Sequence, residues 1–365
     1  MNGKSLSLLK LLSATDIGAV RFFRLLDKFG DVESILKAPK KELILVDGIG
    51  PVIAESICNS SKSIEAEQEF ETALNNDIKI VFYNDSDYPN PLRNLIDKPL
   101  ILYIKGSILK EDFDSISIVG TRKISNYGKT VTSEFASYFA KKGITVVSGL
   151  ARGVDTHAHV AALENKSRTI AVLGNGLLIN YPPENKKLQE KISQEGAIIS
   201  EFPLSKKPDR MSFPRRNRII AGFSRLTLIT EAGLGSGAII TARFCAEYGK
   251  DVFAVPGSIY SNASKGANEL IQNGAFAALN PNDITDHFEW IPKDKTAKTA
   301  DKLPPLNKLE SKILSLIEND GDGMPLDLIA QKLNISIPEI ASAILKLEIN
   351  KFIKTAPGQI YIRAY

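Results

Sequence analysis

Residues 115–128 read SISIVGTRKISNYG, and residues 144–155 read ITVVSGLARGVD. Each stretch contains a short apolar run, then a turn with glycine, then the start of a helical pattern. This succession recurs from residue 76 to about residue 290. The runs alternate little between apolar and polar residues and are separated by helices, which is typical of a mostly parallel sheet covered on both faces. The sequence therefore predicts a Rossmann-like α/β domain over residues 76–290.

Eight apolar runs are the predicted strands of this sheet. Six form its predicted core, namely Ile116–Val119, Thr145–Ser148, Thr169–Leu173, Ala197–Ser200, Leu226–Thr230 and Val252–Val255. Two more runs, Ile78–Tyr83 and Leu100–Tyr103, are predicted to lie at an edge.

The loops that follow the core strands are rich in glycine, and two of them carry arginine. In an open parallel sheet, ligands bind outside the carboxyl ends of the strands. At those ends the chain has Gly120-Thr121-Arg122, Gly149-Leu150-Ala151-Arg152-Gly153, Gly174-Asn175-Gly176, Glu201-Phe202-Pro203, Glu231-Ala232-Gly233 and Pro256-Gly257. Because glycine permits close backbone approach and guanidinium groups bind phosphate oxygens in pairs, these loops predict an anion site.

A basic run adds to this interpretation. Residues 205–225 hold seven Lys or Arg residues against one acidic residue, Asp209, whereas the whole chain has a net charge of only +4. Within the run, Phe213-Pro214-Arg215-Arg216-Asn217-Arg218 leads into a helical stretch, which fits a surface that follows a nucleic-acid backbone. A solvated charged face, or pairing of Arg218 with a buried carboxylate such as Glu231, remains an alternative.

Smaller modules flank the predicted sheet. Residues 1–75 show helical periodicity, and Gly48-Ile49-Gly50 followed by Pro51 resembles the turn of a helix-hairpin-helix, or SAM-like, domain. Whether this turn contacts DNA or only connects helices is left open. Residues 291–305 are polar and rich in lysine, which predicts a linker.

Residues 306–365 are predicted to form a winged helix. Three helical runs lie near 306–319, 325–333 and 337–350, and an extended tail with a turn at Pro357-Gly358 follows them. The third run has few basic or amide side chains at its start, where a DNA-reading helix needs them. A protein contact or a packing role is therefore at least as well supported as base recognition.

Composition excludes several classes of protein. The chain has 365 residues, of which 43% are hydrophobic and 24% charged, so wholesale disorder is excluded. Cys58 and Cys245 lie far apart and support neither a disulfide framework nor a zinc site. Since no signal peptide and no apolar run of roughly 18 residues are found, a cytoplasmic protein without a membrane span is expected.

Motifs for common cofactors are missing. The fingerprint GxGxxG does not follow the first core strand, and the phosphate loop GxxxxGK with Ser or Thr is absent. His157 and His159 lie near Asp155 at a predicted helix start, but a third metal ligand is not evident. Helix capping and packing explain these three residues better. No cofactor and no metal site are therefore predicted.

Eight motifs occur in order along the central domain. They are IVGTRKISNYG, VVSGLARGVDTHAH, IAVLGNGLLINYPPEN, ISEFP, FPRRNRIIAGFS, EAGLGSGAIITA, VFAVPG and GANELIQNGA. Together they resemble the DNA-processing protein A family (DprA, also called Smf), whose longer members have the same flanking modules. The resemblance implies a non-enzymatic protein of natural transformation and recombination that binds and protects single-stranded DNA and helps to load the recombinase RecA onto it.

The resemblance also implies roles for particular residues. The DNA-binding set that it predicts is Gly120, Thr121, Arg122, Ser148, Gly149, Arg152, Gly153, Arg215, Arg216, Asn217 and Arg218. A homodimer is implied through the end of the Rossmann domain, around Asn268, Ile271 and Ala277. Phe202, Phe213 and Tyr181 lie near the DNA-binding loops and are candidates for base stacking, with packing in the core as the alternative.

Two other functions remain open. The loop Glu231–Gly237 resembles that of the cytokinin-activating phosphoribohydrolases, so Glu231 is a candidate to cleave a ribosyl bond while Arg122 or Arg152 holds the phosphate. In that family the acid follows the glycines, whereas here it precedes them. The second alternative is a transcriptional regulator that reads duplex DNA through its winged helix while the Rossmann domain senses a nucleotide.

Overall fold

The computed structural model describes residues 3–61, 64–288, 306–320, 323–350, 352–356 and 360–363. The chain divides into two compact units, Met1–Lys295 and Thr296–Tyr365. The predicted linker, residues 291–305, lies outside the described residues.

The first unit begins with a helical module. Its helices are α1 (Gly3–Ser13), α2 (Ala19–Phe29), α3 (Val32–Lys37), α4 (Lys40–Leu43), α5 (Pro51–Ser60) and α6 (Glu65–Asn75). Helix α2 ends at Gly30, whose φ of +83° lets its N–H bond to the Leu26 carbonyl at 2.7 Å. The predicted hairpin turn lies between α4 and α5, and Pro51 occupies the first turn of α5.

A nine-stranded sheet forms the centre of the first unit. Its strands are β1 (Ile78–Phe82), β2 (Ile101–Gly106), β3 (Ser115–Val119), β4 (Thr145–Ser148), β5 (Thr169–Val172), β6 (Ala197–Ser200), β7 (Leu226–Ile229), β8 (Val252–Ala254) and β9 (Phe276–Ala277). Their order is β1-β2-β6-β5-β4-β3-β7-β8-β9. β1 pairs antiparallel with β2, and β2 with β6, whereas the pairs from β6 to β9 are parallel.

Helices cover both faces of this sheet. They are α7 (Asn90–Arg93), α8 (Asn126–Lys141), α9 (Val154–Glu164), α10 (Lys186–Glu195), α11 (Ser212–Phe223), α12 (Gly237–Glu247), α13 (Lys265–Gln272) and α14 (Asn282–His287). Ile118 of β3 packs in one apolar cluster with residues of α8 and α9, and the next residue, Val119, packs in another with residues of α11 and α12. Since successive strand residues point to opposite faces, both faces are buried.

The predicted mostly parallel, Rossmann-like sheet is confirmed, and all eight predicted runs are strands. The sequence analysis missed β9, because a strand of two residues is too short to show a period.

The strand order reverses between β3 and β7. From β3 the sheet continues through β4 and β5 to β6, and α11 then crosses back so that β7 pairs with the other side of β3. The loops after β3 and β7 therefore diverge and leave a crevice at the carboxyl ends of the strands, where ligands bind in such sheets.

A continuous apolar core joins the helical module to the sheet. Leu11 and Phe22 of the module belong to the same buried cluster as Tyr103 and Ile198 of the sheet, and the Phe22 ring lies 5.4 Å from that of Tyr83. The predicted boundary between a helical domain of residues 1–75 and a sheet domain of residues 76–290 stays a prediction.

The second unit contains the winged helix. Its elements are α15 (Lys308–Asp320), β10 (Met324–Pro325), α16 (Leu326–Leu333), α17 (Ile337–Ile349), β11 (Ile353–Ala356) and β12 (Ile360–Arg363). The strands pair antiparallel in the order β10-β12-β11. Ile313, Ile340 and Leu347 are buried in its core, and the predicted turn at Pro357-Gly358 lies outside the described residues.

Within the described ranges, no single helix is long and apolar enough to cross a membrane. Leu326–Leu333 and Ile337–Glu348 meet the length and composition criteria only as a pair, and that pair is bent by 116°.

Candidate functional site

A cavity of about 680 Å³ opens at the carboxyl ends of β3 and β7, where the strand order reverses. Its walls come from the loop after β3, the first turns of α11 and α12, and the segments around residues 151–155 and 181. The polar and aromatic lining residues are Thr121, Arg122, Lys123, Asp155, Tyr181, Arg210, Phe213, Arg216, Asn217, Ser236 and Thr241. Three of the six predicted loops, those after β3, β4 and β7, thus meet the basic run at this cavity, whereas the predicted loops after β5, β6 and β8 do not line it.

Arg122 is the exposed arginine of the predicted site whose charge no described carboxylate neutralises. Its side chain is exposed, and its guanidinium carbon lies 4.9 Å from the centre of the Phe213 ring. Among the described residues, no carboxylate forms an ion pair with it. The Tyr181 ring lies 5.6 Å from Phe213 at an interplanar angle of 35°. A cation and two half-buried rings therefore border the cavity together.

Arg152 and Arg215 are also exposed, but each has a carboxylate partner. Arg152 forms a two-pronged ion pair with Glu184, one of whose contacts is 3.1 Å long. Arg215 lies 3.1 Å from Oε2 of Glu201 and stacks over the Phe202 ring at 5.3 Å. An incoming phosphate has to compete with these carboxylates, whereas at Arg122 no described carboxylate competes with it.

Arg216 is buried and holds the loops together. Its Nη1 donates to the carbonyls of Gly149, at 2.6 Å, and Val172. Burial lowers the pKa of Arg216 to about 10, with Asp155 opposing that shift. Burial raises the pKa of Asp155, which accepts N–H groups from Gly149 and Ala151. The side chains of Arg216 and Asp155 thus form part of the floor of the cavity.

Arg218 and Asn217 are likewise largely buried. Arg218 donates to Oε2 of Glu201 at 2.5 Å, and its Nε lies 3.8 Å from Oδ2 of Asp97. Asn217 donates to the Gly237 carbonyl at the start of α12. Arg218 does pair with a buried carboxylate, which was the alternative to DNA contact, but that carboxylate is Glu201 and not Glu231, which is bonded to Ser125.

The predicted turn residues set how closely the loops pack. A Cβ atom on Gly149 would lie 2.3 Å from Nη1 of Arg216, so any larger residue would displace that guanidinium. Gly153 has a φ of +76°, which other residues rarely adopt. Ser148 donates to the Ile118 carbonyl at 2.6 Å, and Thr121 donates its N–H to the Glu231 carbonyl at 2.7 Å. Gly120 also lies in a closely packed position, where a Cβ atom would clash with neighbouring residues.

Family models match both units of this architecture. The model described as DNA recombination-mediator protein A matches residues 79–289, and the model described as DprA winged helix domain matches residues 297–359. The chain belongs to the DprA/Smf family.

Members of the DprA/Smf family from other bacteria align with more than half of the chain. Protein Smf of Synechocystis is 33% identical over 95% of this chain and 96% of its own length. DNA processing protein DprA of Streptococcus pneumoniae is 40% identical over 56% of this chain and 73% of its own length.

Two solved structures of DNA processing protein A resemble the fold. That of Streptococcus pneumoniae has a TM-score of 0.67 at 31% identity and covers 78% of this chain and 98% of its own. That of Helicobacter pylori, reported for its single-stranded DNA binding mode, has a TM-score of 0.52 at 32% identity and covers 58% and 95%.

The residues implied by the DprA/Smf resemblance for a dimer lie around β8, α13 and β9. Asn268 is half-buried and bonds both the N–H and the carbonyl of Gly257. Ile271 packs against the apolar cluster beneath α12, and Ala277 is exposed on β9. Of the three, Ala277 alone offers an exposed surface on the terminal strand of the sheet.

Glu231 and the histidines have internal roles. Glu231 is buried and accepts the N–H and the hydroxyl of Ser125. His159 is buried with Nδ1 2.7 Å from Oγ1 of Thr169, and burial lowers its pKa to about 3. His157 is half-buried, and burial lowers its pKa as well. In the described part of the chain, no group of three or more His, Cys, Asp or Glu is placed to hold a metal.

Sequence reasoning missed Lys123 and did not single out Arg210 as a site residue. Both are exposed, and both line the cavity. Arg210 belongs to the basic run, and Lys123 directly follows the GTR turn, so their positions beside predicted site residues were the available signal.

Proposed function

We propose that this chain binds single-stranded DNA by its phosphate backbone at the cavity between β3 and β7. The observation that carries the proposal is Arg122, an exposed arginine over Phe213 with no ion-pair partner in the described chain, at the point where such sheets bind ligands. The solved structure of Helicobacter pylori DNA processing protein A, described for its single-stranded DNA binding mode, supports it.

The charges around the cavity suit a polyanion. Arg122, Lys123 and Arg210 are exposed at its rim. Across the cavity, α12 begins after Ser236, whose hydroxyl accepts the Ala238 N–H, and the positive end of this helix favours phosphate. If each of these three basic side chains displaces one counterion, a plot of the logarithm of the binding constant against the logarithm of the salt concentration should have a slope of about −2 for single-stranded DNA. We call this slope the salt slope.

The aromatic residues beside Arg122 suit bases. Phe213 and Tyr181 are half-buried and line the cavity, so part of each ring remains open to a base. Stacking on an aromatic ring tolerates any base and contributes about 1–3 kcal/mol per base. Phe202, by contrast, is only 7% exposed beneath Arg215. We therefore assign stacking to Phe213 and Tyr181 and a packing role to Phe202.

The biological role that we propose is that of the family. The chain protects single-stranded DNA in recombination and natural transformation and helps to load RecA onto it. It does so as a homodimer that joins two cavities on one strand, which raises affinity without new contacts at either site. The family model described as DNA recombination-mediator protein A supports the first part of this role.

We propose no catalytic step. The enzymatic alternative requires a free carboxylate at the cavity, whereas Glu231 is 2% exposed and bonded to Ser125. The test of that alternative is release of free base from a nucleoside monophosphate, which we expect not to occur.

The test of the main proposal is fluorescence anisotropy of a labelled single strand of about 30 nucleotides, beside a matched duplex, at several salt concentrations. We expect tighter binding to the single strand and an affinity that falls steeply with salt. Equal binding to the duplex, or no binding at low salt, would contradict the proposal.

A further inference from the structure

A second groove, of about 430 Å³, opens between the helical module and the sheet. Four arginines line it, Arg21 and Arg24 from α2 and Arg215 and Arg218 from α11. Among its described lining residues, Asp97 alone is acidic. A groove lined mainly by one sign of charge concentrates ligands of the opposite sign, which favours an anion here.

The helical period of α11 directs some side chains of the motif FPRRNR toward the first cavity and others toward the groove. Arg215 and Arg218, three residues apart, line the groove, whereas Phe213, Arg216 and Asn217 line the first cavity. A helix is about 10–12 Å across, which a stacked strand spans with about three nucleotides at about 3.4 Å each. A strand that leaves the first cavity therefore reaches the groove within a few nucleotides.

The carboxylates behind the groove do not satisfy its arginines. Arg215 and Arg218 share Oε2 of Glu201, so two guanidinium groups face one carboxylate. Asp97 also accepts the Tyr248 hydroxyl at 2.7 Å. The Arg218 side chain is only 9% exposed, and its Nη1 has no hydrogen-bond partner in the described part of the protein. Oε1 of Glu201 likewise has no partner among the described residues, so the ion-pair cluster beside the groove leaves polar atoms unsatisfied.

Helix α2 supplies the opposite wall. Arg21 donates to the main-chain carbonyls of Asp16 and Gly48, at 2.8 and 2.9 Å, and forms no ion pair with a described carboxylate. Arg24 pairs with Asp47, whose side chain is 84% exposed. An exposed pair of this kind is weak, so a phosphate competes for Arg24 readily.

The first turn of α2 lies in the groove as well. Gly18 and Ala19 line it, and Gly18 provides no side-chain cap, which leaves main-chain N–H groups at the positive end of an 11-residue helix. The turn at Gly48 that was matched to a helix-hairpin-helix borders the same groove.

We propose that this groove is a second phosphate-binding site, through which the helical module holds the single-stranded DNA that leaves the first cavity. The inference rests on the proposed function. It makes the helical module and the sheet two walls of one DNA path, with α11 between the two sites.

The first test compares Arg21→Gln/Arg24→Gln with Lys37→Gln/Lys41→Gln. The control pair removes the same charge from exposed positions of the same module that do not line the groove. Strands of about 4, 8, 12 and 16 nucleotides are titrated by anisotropy. Relative to the wild type, we expect the groove variant to bind the longest strand roughly tenfold more weakly and to show a salt slope less steep by about 1.4. Its affinity should also stop rising at a shorter strand length.

A second variant avoids the hydrogen bonds that Arg21 makes to the hairpin turn. Val20 is 53% exposed and lines the groove, so Val20→Glu places a negative charge there without removing a bond. Leu74→Glu makes a similar change at a 69% exposed position of α6. We expect Val20→Glu alone to weaken binding of the longest strand by about tenfold.

The outcomes separate the two proposals. If Arg122→Ala weakens binding but neither groove variant differs from its control, the groove proposal is overturned and the first cavity stands. If the wild-type protein binds no single strand, the proposed function fails and the groove proposal with it. If the groove variants change binding of a mononucleotide but not of a strand, the groove is a site for free nucleotides and the proposal is again overturned.

Discussion

The guanidinium carbon of Arg122 lies 4.9 Å from the centre of the Phe213 ring, and the loop after β3 and the first turn of α11, which carry these residues, meet only in the folded chain. The ring presents its negative face to the cation and fixes the position of the guanidinium without neutralising it. Arg122 thus keeps its charge available at the cavity, whereas Arg152 and Arg215 share theirs with Glu184 and Glu201.

Loss of Arg122 should weaken DNA binding. We expect Arg122→Ala to lower single-strand affinity about tenfold, or about 1.4 kcal/mol, and to reduce the salt slope by about 0.7. The control is Arg225→Ala, since Arg225 stacks over Phe288 at 5.1 Å but also pairs with Asp114 and does not line the cavity. Anisotropy titrations measure both variants, and equal affinities for them would contradict the assignment.

Arg122 and Phe213 should act as a unit. We expect Phe213→Leu to weaken single-strand binding by at least fivefold, because it removes a stacking surface and the support of Arg122. The double variant with Arg122→Ala should lose less than the sum of the two single losses, by about 0.5 kcal/mol or more. A double-mutant cycle of binding affinities tests this. If the losses of binding free energy were strictly additive, the contact between Arg122 and Phe213 would not contribute to DNA binding.

Gly149 should be required for folding stability. Its substitution by alanine places a Cβ atom 2.3 Å from Nη1 of Arg216, which is itself held by two carbonyls. We expect Gly149→Ala to lower the free energy of unfolding by about 1–3 kcal/mol. Gly237→Ala is the control, since nothing lies within 4 Å of its Cβ position. Urea denaturation of the two variants decides the question, and similar midpoints would refute the prediction.

Stability should fall on acidification because of His159. Burial lowers the pKa of His159 from 6.5 to about 3. His159 therefore binds a proton near pH 6.5 in the unfolded chain but only near pH 3 in the native state. Between these two pH values, protonation of His159 in the unfolded chain should lower the free energy of unfolding by about 1.4 kcal/mol for each unit that the pH falls. Unfolding free energies at about pH 7, 6 and 5 should show a shallower slope for His159→Asn than for His287→Asn. Identical slopes would rule out His159 as the cause.

The end of the sheet should support a dimer. Ala277 is exposed on β9, the last strand in the sheet order, and Phe276 beside it is 43% exposed. A charged residue on such an edge opposes pairing with a second copy. We expect sedimentation velocity to give a dimer for the wild type and for Val52→Lys, and a monomer for Ala277→Lys. A dimer that survives Ala277→Lys would place the interface elsewhere.

Much of the fold was predictable because the signals are local. Short apolar runs indicated eight of the nine strands of the large sheet, and Gly30 indicated the end of α2. The strand β9 escaped detection because two residues carry no period. The position of the cavity followed from a general rule for parallel sheets, so the loops after β3 and β4 were identified without a structure.

Strand and turn patterns depend on neighbouring residues, so arginines and glycines could be assigned to the carboxyl ends of a parallel sheet before the fold was known. Which arginines keep their charge for a ligand could not be predicted in this way. Three arginines of one motif look alike in sequence, yet Arg216 lies under Gly149, Arg218 is paired with Glu201, and Arg215 faces a different groove. These differences arise in the folded chain, because burial and ion pairing depend on which carboxylates and carbonyls the packing of α11 brings within reach.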